Sequence, residues 1–352
     1  MRVVLAIAQA ISKKLPRPVR LMEVCGTHTV NIFRFGLRSL LPKDLELLSG
    51  PGCPVCVTPP GEIDFLLEVA KLPQVTLATF GDMLRVPGSK TSLKDLRAQG
   101  AEIKVIYSPL DTLELAESNP KQKIVFAAIG FETTAPAVAV AVLEAKKRGL
   151  KNLLFAVSHR TMPQALRALL SSGEVKLDGL ILPGHVSTVI GAKSFQFLAE
   201  EFHLPAVVTG FEARDIMEGI YMLVSQVAEG RAEVEIQYKR AVTWEGNPMG
   251  KQLIHKVFEP CDARWRGLGL IPGSGLRLRP EFHHFDAQKR LGIKVPEGTE
   301  PAGCRCGDIL CARAKPPDCK LFGQACTPEH PKGPCMVSSE GTCAAWYAFA
   351  ED

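Results

Sequence analysis

The sequence lacks three features that are typical of proteins bound to membranes or nucleic acids. No apolar run approaches the about 20 residues that a membrane-spanning helix needs. The charges nearly cancel, because 42 Lys and Arg residues are set against 37 Asp and Glu residues and leave a net charge of +5. Aromatic residues make up only 7% of the chain and are not interleaved with any basic run. We therefore expect neither a membrane partner nor a nucleic-acid partner.

Cysteine, in contrast, is abundant, with eleven in 352 residues. The chain is too long for a small disulfide-stabilised secreted protein, and an odd number of cysteines cannot all pair within one chain. The apolar run near the N-terminus is too short for the hydrophobic region of a signal peptide and has the spacing of an opening helix. These observations favour a cytoplasmic protein whose thiols bind metal or carry out redox chemistry.

Apolar runs alternate with helical patterns along the first two thirds of the chain. These runs are rich in Val, Ile, Leu and Ala without alternating polar residues, as in parallel strands covered on both faces. The runs predict strands at 19–24, 45–48, 75–80, 103–107, 124–129, 153–157, 179–182 and 206–209. We therefore predict an α/β fold with two Rossmann-like parallel-sheet domains, at 1–118 and 119–232, of about four strands each. Residues 233–352 form a third, cysteine-rich region that is too poor in apolar periodicity to fold by core packing alone.

Two predicted strand-to-helix turns contain thiols. The first, MEVCGTHT, carries Cys25 and, three residues later, His28, which is placed to lean back over the sulfur. The second, SGPGCPVCVTP, carries Cys53 and Cys56. Because a helix N-terminus lowers the pKa of a nearby thiol, both turns are suited to present thiolates. In a parallel sheet both turns open on the same edge, so we expect the four side chains to converge.

Each turn also has a simpler explanation when it is taken alone. A C-x-x-C pair occurs in structural zinc sites and in dithiol redox pairs, and Cys25 fits a buried cysteine beside a capping histidine. Glu132, in the turn GFETTAP, is a further candidate. Helix capping explains the Thr and Pro residues of that turn but not its carboxylate. We therefore predict that Glu132 accepts a proton or supports the site.

Seven cysteines lie in the last fifty residues. Cys319, Cys326, Cys335 and Cys343 are separated by 6, 8 and 7 residues, without the close pairs of a zinc finger. Four thiolates on irregular loops suit an iron–sulfur cluster, and zinc is the alternative. Of the other three, Cys306 is the most suitable fifth ligand, whereas Cys304 and Cys311 are expected to be dispensable.

Four motifs together make the sequence similar to the HypD family of [NiFe]-hydrogenase maturation proteins. They are MEVCGTHT, LLSGPGCPVCVTP, IGFETTAP and DCKLFGQACTPEHPKGPCMVSSEGTC, in the order of the family and from Glu23 to Cys343. The resemblance implies a [4Fe–4S] cluster on Cys319, Cys326, Cys335 and Cys343. It also implies a scaffold for assembly of an Fe(CN)2CO group together with a HypC-type small chaperone. Cyanide would come from a HypE-type partner, and the finished group would go to the hydrogenase large subunit.

Thiolates are the soft donors that such an iron atom prefers. Either Cys25, Cys53 and Cys56 all hold the iron, or Cys25 binds it while the other two supply electrons. His28 would tune Cys25 or relay a proton. The protein would then be a maturation scaffold with redox activity. The alternatives are an iron–sulfur-dependent thiol–disulfide oxidoreductase and a binding module with two structural zinc sites.

Overall fold

The structure is a computed structural model that describes residues 2–349. Met1, in the first predicted domain, and residues 350–352, in the last predicted domain, lie outside the described residues. Its strands are β1 (Val19–Glu23), β2 (Leu45–Ser49), β3 (Val75–Thr79), β4 (Ile103–Val105), β5 (Lys123–Gly130), β6 (Leu153–Arg160), β7 (Gly179–Pro183), β8 (Ala206–Thr209), β9 (Val234–Ile236), β10 (Phe258–Trp265) and β11 (Gly269–Leu278). Its helices are α1 (Arg2–Lys14), α2 (Gly26–Arg34), α3 (Leu37–Leu40), α4 (Pro54–Val57), α5 (Pro60–Ala70), α6 (Leu93–Ala98), α7 (Asp111–Ser118), α8 (Ala135–Lys147), α9 (Met162–Ser171), α10 (Gly184–Ile190), α11 (Phe197–Glu200), α12 (Ala213–Glu229), α13 (Pro248–Val257), α14 (Ala287–Leu291), α15 (Cys306–Leu310), α16 (Pro334–Val337) and α17 (Thr342–Phe349).

Two sheets organise these elements, and the predicted α/β class is confirmed. The first sheet has the strand order β2-β1-β7-β8-β9 and is parallel throughout. The second has the order β10-β11-β6-β5-β3-β4, in which β4, β3, β5 and β6 are parallel and the hairpin β10–β11 is antiparallel. The eight strands predicted from apolar runs all form. Seven of them are mostly buried, whereas only Ile103 is buried in the edge strand β4.

The distribution of strands between the sheets differs from the prediction. The first sheet takes β1 and β2 from the start of the chain and β7–β9 from its middle, whereas the second contains β3–β6 together with β10 and β11. Residue 118, the predicted end of the first domain, therefore lies between two strands of one sheet. Residues 233–278 add strands to both sheets instead of belonging to a separate region. Pairing between strands distant in sequence decides this arrangement, and local apolar patterns carry no information about it.

The carboxyl ends of the two sheets face each other across one cavity. Its wall contains residues that follow β1, β2 and β7 of the first sheet and residues that follow β5 of the second. The segment after α16 contributes Glu340 to the cavity wall. Asp82 accepts hydrogen bonds from Ser338 and Ser339, and Arg85 donates to the carbonyl oxygen of Val337, so this segment is held against the turn after β3. Within residues 2–349, no helix has both the length and the apolar character that crossing a bilayer requires.

Candidate functional site

The turns that carry Cys25 and Cys53 lie against each other. They follow the adjacent parallel strands β1 and β2, and the Gly26 N–H donates to the carbonyl oxygen of Gly52 over 3.1 Å. A side chain on Gly52 would overlap the backbone of Cys25, so this approach requires glycine. The structure therefore brings together the two thiol-bearing turns that the sequence singled out.

Cys53 and Cys56 form a disulfide at the start of α4. Their Cα atoms are 5.2 Å apart, and the Cys56 N–H donates to the Cys53 sulfur over 3.2 Å. Both residues are buried, and α4 packs against α15 and α16, the short helices that begin with or contain Cys306 and Cys335. The disulfide consequently lies between the Cys25 turn and the cysteines of the C-terminal region.

Cys25 lines the cavity between the two sheets. The cavity has a volume of about 120 Å³, and its other polar side chains are Thr133, His185 and Glu340. Much of the remaining wall is apolar and includes Val24, Phe131 and Met162. The sulfur of Cys25 is thus accessible to a small group that enters between the sheets.

The pKa of Cys25 differs from the prediction. Burial, together with the nearby carboxylate of Glu340, raises the pKa of this thiol to about 12. The backbone N–H groups of Thr27 and His28 act in the predicted direction and lower it, but burial has the larger effect. The prediction of a lowered thiol pKa is therefore wrong for Cys25. At neutral pH the Cys25 thiol is therefore protonated.

The His28 ring does not lie in this cavity. Its Nε2 donates to the carbonyl oxygen of Gly210 over 3.0 Å and lies 3.0 Å from the Thr209 hydroxyl, and the ring stacks on Phe211. Burial lowers its pKa to about 4, so the ring is neutral at physiological pH. His28 therefore joins α2 to the turn after β8 instead of leaning over the Cys25 sulfur. The imidazole that does line the cavity belongs to His185, which is partly exposed to solvent.

Glu132 also points away from the cavity. Its Oε1 accepts the backbone N–H of Met162 over 2.9 Å, which satisfies a free donor at the start of α9. Burial raises its pKa to about 7. Its neighbours Phe131 and Thr133 line the cavity instead. In this structure Glu132 supports the turn that presents those two residues.

Sequence reasoning missed two carboxylates at the Cys25 turn. Glu23, which is buried, accepts the Thr29 hydroxyl over 2.6 Å and the Cys25 N–H over 3.4 Å. Burial raises the pKa of Glu23 to about 8. Glu340 accepts the Thr27 hydroxyl over 2.7 Å although it lies 313 residues further along the chain. The position of Glu23 at a strand end, two residues before Cys25, was a usable signal, but the sequence contains none for Glu340.

A second, smaller cavity brings together the C-terminal cysteines. All four predicted cluster ligands line it, and Cys304 and Cys306 join them: the six are Cys304, Cys306, Cys319, Cys326, Cys335 and Cys343. The other lining residues are apolar apart from Gly333, and the Lys332 N–H donates to the Cys326 sulfur over 3.3 Å. Soft sulfur donors in an apolar pocket, with a backbone N–H directed at one sulfur, fit an iron–sulfur cluster.

The other cysteines are placed differently from the prediction in one respect. Cys311 lies outside this cavity, as expected for a dispensable residue, but Cys304 lies inside it. A hydrogen bond to Cys335 and burial raise the pKa of Cys306 well above 9.0. Within residues 2–349, no three His, Cys, Asp or Glu side chains are arranged to hold a single metal ion. The cysteine side chains would therefore have to reorient around a bound group.

Comparison with known proteins identifies the family of this chain. A family model described as HypD, hydrogenase formation hypA family, matches residues 2–350. The hydrogenase maturation factor HypD of Azotobacter vinelandii is 48% identical over 340 residues, which cover 95% of this chain and 90% of that protein. The HypD of Escherichia coli strain K12 is 45% identical over 347 residues, 98% of this chain and 92% of that protein. Because the family model covers residues 2–350 and these relatives match nearly the whole chain, the protein belongs to the HypD family of hydrogenase maturation factors.

Proposed function

We propose that the protein is the scaffold on which the Fe(CN)2CO group of [NiFe]-hydrogenase is assembled, with Cys25 as its iron ligand. The observation that supports this proposal is the spatial arrangement of the sulfur groups. The Cys25 cavity, the Cys53–Cys56 pair and the cavity of six cysteines lie next to one another. A site that only binds metal does not need a redox-active pair beside it.

The iron atom is the cargo of this site. Iron that binds Cys25 displaces the thiol proton, and the N–H groups of Thr27 and His28 then stabilise the thiolate. The cavity leaves room for small ligands on the iron, and a HypC-type small chaperone would supply a further donor at its open side. We place this assembly in the cytoplasm, with the hydrogenase large subunit as the recipient.

The Cys53–Cys56 pair would supply electrons for cyanide release. Cyanide arrives as a protein thiocyanate on a HypE-type partner, R–S–C≡N. Reaction with the two thiols gives R–SH, hydrogen cyanide and the Cys53–Cys56 disulfide, so that two electrons pass from the thiols to the S–CN bond. In this proposal the Cys53–Cys56 disulfide would be the oxidised product of the step.

The C-terminal cysteines would hold a [4Fe–4S] cluster. We propose Cys319, Cys326, Cys335 and Cys343 as its ligands, with Cys306 adjacent to Cys335. When bound, such a cluster supplies single electrons. The disulfide beside this cavity also favours a second candidate function, an iron–sulfur-dependent thiol–disulfide oxidoreductase. That function gives no role to the Cys25 cavity.

Infrared spectroscopy of protein purified anaerobically with its HypC-type partner separates these functions. We expect cyanide and carbon monoxide stretching bands for the wild-type protein. Cys25→Ala should lose those bands and keep its cluster absorbance, whereas alanine at any of the four cluster positions should lose most of the iron and sulfide. Cys261→Ala, on the hairpin strand β10, is the control and should keep both signals, because Cys261 lines neither of the two cavities. Unchanged bands in Cys25→Ala would place the iron on Cys53 and Cys56.

A further inference from the structure

Two hydrogen-bond donors of the Cys25 cavity have no role in the function proposed above. The cavity wall contains the Thr133 hydroxyl and the His185 ring, which approach from the turn after β5 and from the start of α10. The hydrogen bonds of residues 2–349 engage neither group, whereas the neighbouring Thr134 hydroxyl lies 3.1 Å from His159 Nε2. These two donors come from opposite sheets and face the same small space.

The other polar side chains near Cys25 are not available as donors. His28 has its Nε2 N–H committed to the carbonyl oxygen of Gly210. The carboxylate of Glu340 is an acceptor, and its Oε1 already accepts the Thr27 hydroxyl. Thr133 and His185 are therefore the side-chain donors that the cavity offers to a bound group.

The surroundings restrict the positions of both donors, although His185 is partly exposed to solvent. The His185 ring stacks on Phe211 with ring centroids 3.9 Å apart, and Gly184 before it packs so closely on Phe211 that a side chain there would crowd the ring. Thr133 lies in a turn that is fixed on one side by the hydrogen bond from Met162 to Glu132. Donors that are fixed before binding lose little conformational entropy when they form a hydrogen bond.

We propose that Thr133 and His185 donate hydrogen bonds to the nitrogen atoms of the two cyanide ligands, and that the apolar wall of the cavity receives the carbon monoxide ligand. A metal-bound cyanide carries negative charge and a lone pair on nitrogen, whereas the oxygen of a bound carbon monoxide is a weak acceptor. The apolar wall is formed by side chains such as Val24, Phe131 and Met162. Thr133 and His185 thus act as positioning residues, and this inference rests on the proposed function.

The cyanide stretching frequency reports the hydrogen bond without reference to hydrogenase activity. A hydrogen bond to the cyanide nitrogen raises this frequency, so Thr133→Val and His185→Phe should each shift one cyanide band to lower frequency. The carbon monoxide band should move less. Thr133→Ser, which keeps the hydroxyl, should restore the wild-type band. Thr188→Val is the matched control on α10, because the Thr188 hydroxyl donates to the carbonyl oxygen of His185 within the helix.

A second measurement covers the case in which a variant does not fold. Transfer of the loaded wild-type protein to D2O exchanges the donor hydrogens and should shift both cyanide bands while leaving the carbon monoxide band in place. Cyanide bands that move neither in the variants nor in D2O would overturn the inference and leave the proposed function intact. A wild-type protein without cyanide and carbon monoxide bands would instead overturn the proposed function.

Discussion

Replacement of Glu132 by Gln tests how far burial raises the pKa of this carboxyl group. Glu132 is 4% exposed, and within residues 2–349 its Oε2 has no hydrogen-bond partner. Burial therefore raises its pKa from 4.5 to about 7, although backbone hydrogen bonds to Oε1 act in the opposite direction. Gln keeps an oxygen for the Met162 N–H and carries no charge at any pH.

Linkage between protonation and folding sets the direction of the effect. Below pH 4.5 Glu132 is protonated in the folded and in the unfolded chain, so its ionisation costs no stability. Between pH 4.5 and about 7 it ionises first in the unfolded chain, and the free energy of unfolding falls as the pH rises. Above about pH 7 the full loss is present. A rise in pKa from 4.5 to about 7 corresponds to a loss of about 3 kcal/mol.

Urea unfolding at pH 5 and pH 8, followed by tryptophan fluorescence, measures this loss. Trp265 is a suitable reporter because it is buried and stacks on Phe131, the neighbour of Glu132. We expect Glu132→Gln to gain about 2 kcal/mol more stability relative to wild type at pH 8 than at pH 5. Glu114→Gln, on the exposed side of α7, is the control and should show no such difference. A stability difference that is equal at the two pH values would refute the reasoning.

Two further predictions concern packing and charge. Gly52→Ala should push the Cys53 turn away from Cys25, lower the free energy of unfolding by about 1–3 kcal/mol and speed thiol labelling of Cys25. Gly81→Ala is the control, since the nearest atom to its added carbon is 3.8 Å away, and equal losses in the two variants would contradict the prediction. Glu62→Ala should lower the free energy of unfolding in urea by about 3 kcal/mol, because it removes the carboxylate 2.7 Å from the buried Arg160 guanidinium. An unchanged unfolding midpoint would show that Arg160 needs no counter-charge.

Local patterns were sufficient for the secondary structure and for the two thiol-bearing turns. The eight predicted strands form within a few residues of their predicted bounds. Apolar runs and turn residues act over a few neighbours, so the sequence displays them directly. The same holds for the approach of Cys25 to Cys53, because adjacent parallel strands end at one edge of a sheet.

The sequence did not show which strands share a sheet or how deeply each group is buried. Strands β7–β9 complete the sheet begun by β1 and β2, although the four strands between them belong to the other sheet. The thiol of Cys25 has a raised pKa instead of a lowered one, because burial by distant segments outweighs the local helix N-terminus. The burial of a residue depends on its contacts with all parts of the chain, and a local sequence pattern does not show those contacts.

By itself, therefore, the sequence determined the α/β class, the positions of Cys25, Cys53 and Cys56 at strand ends, and the cysteine-rich composition of the C-terminal region. Only the tertiary structure decided which side chains face the Cys25 sulfur. In the structure His28 and Glu132 form hydrogen bonds with the backbone of other segments, whereas His185 and Glu340 line the cavity. The physical reason is that the direction of each side chain depends on a partner far away in the chain. Gly210 meets His28, and Met162 meets Glu132, only when strands distant in sequence pair within one sheet.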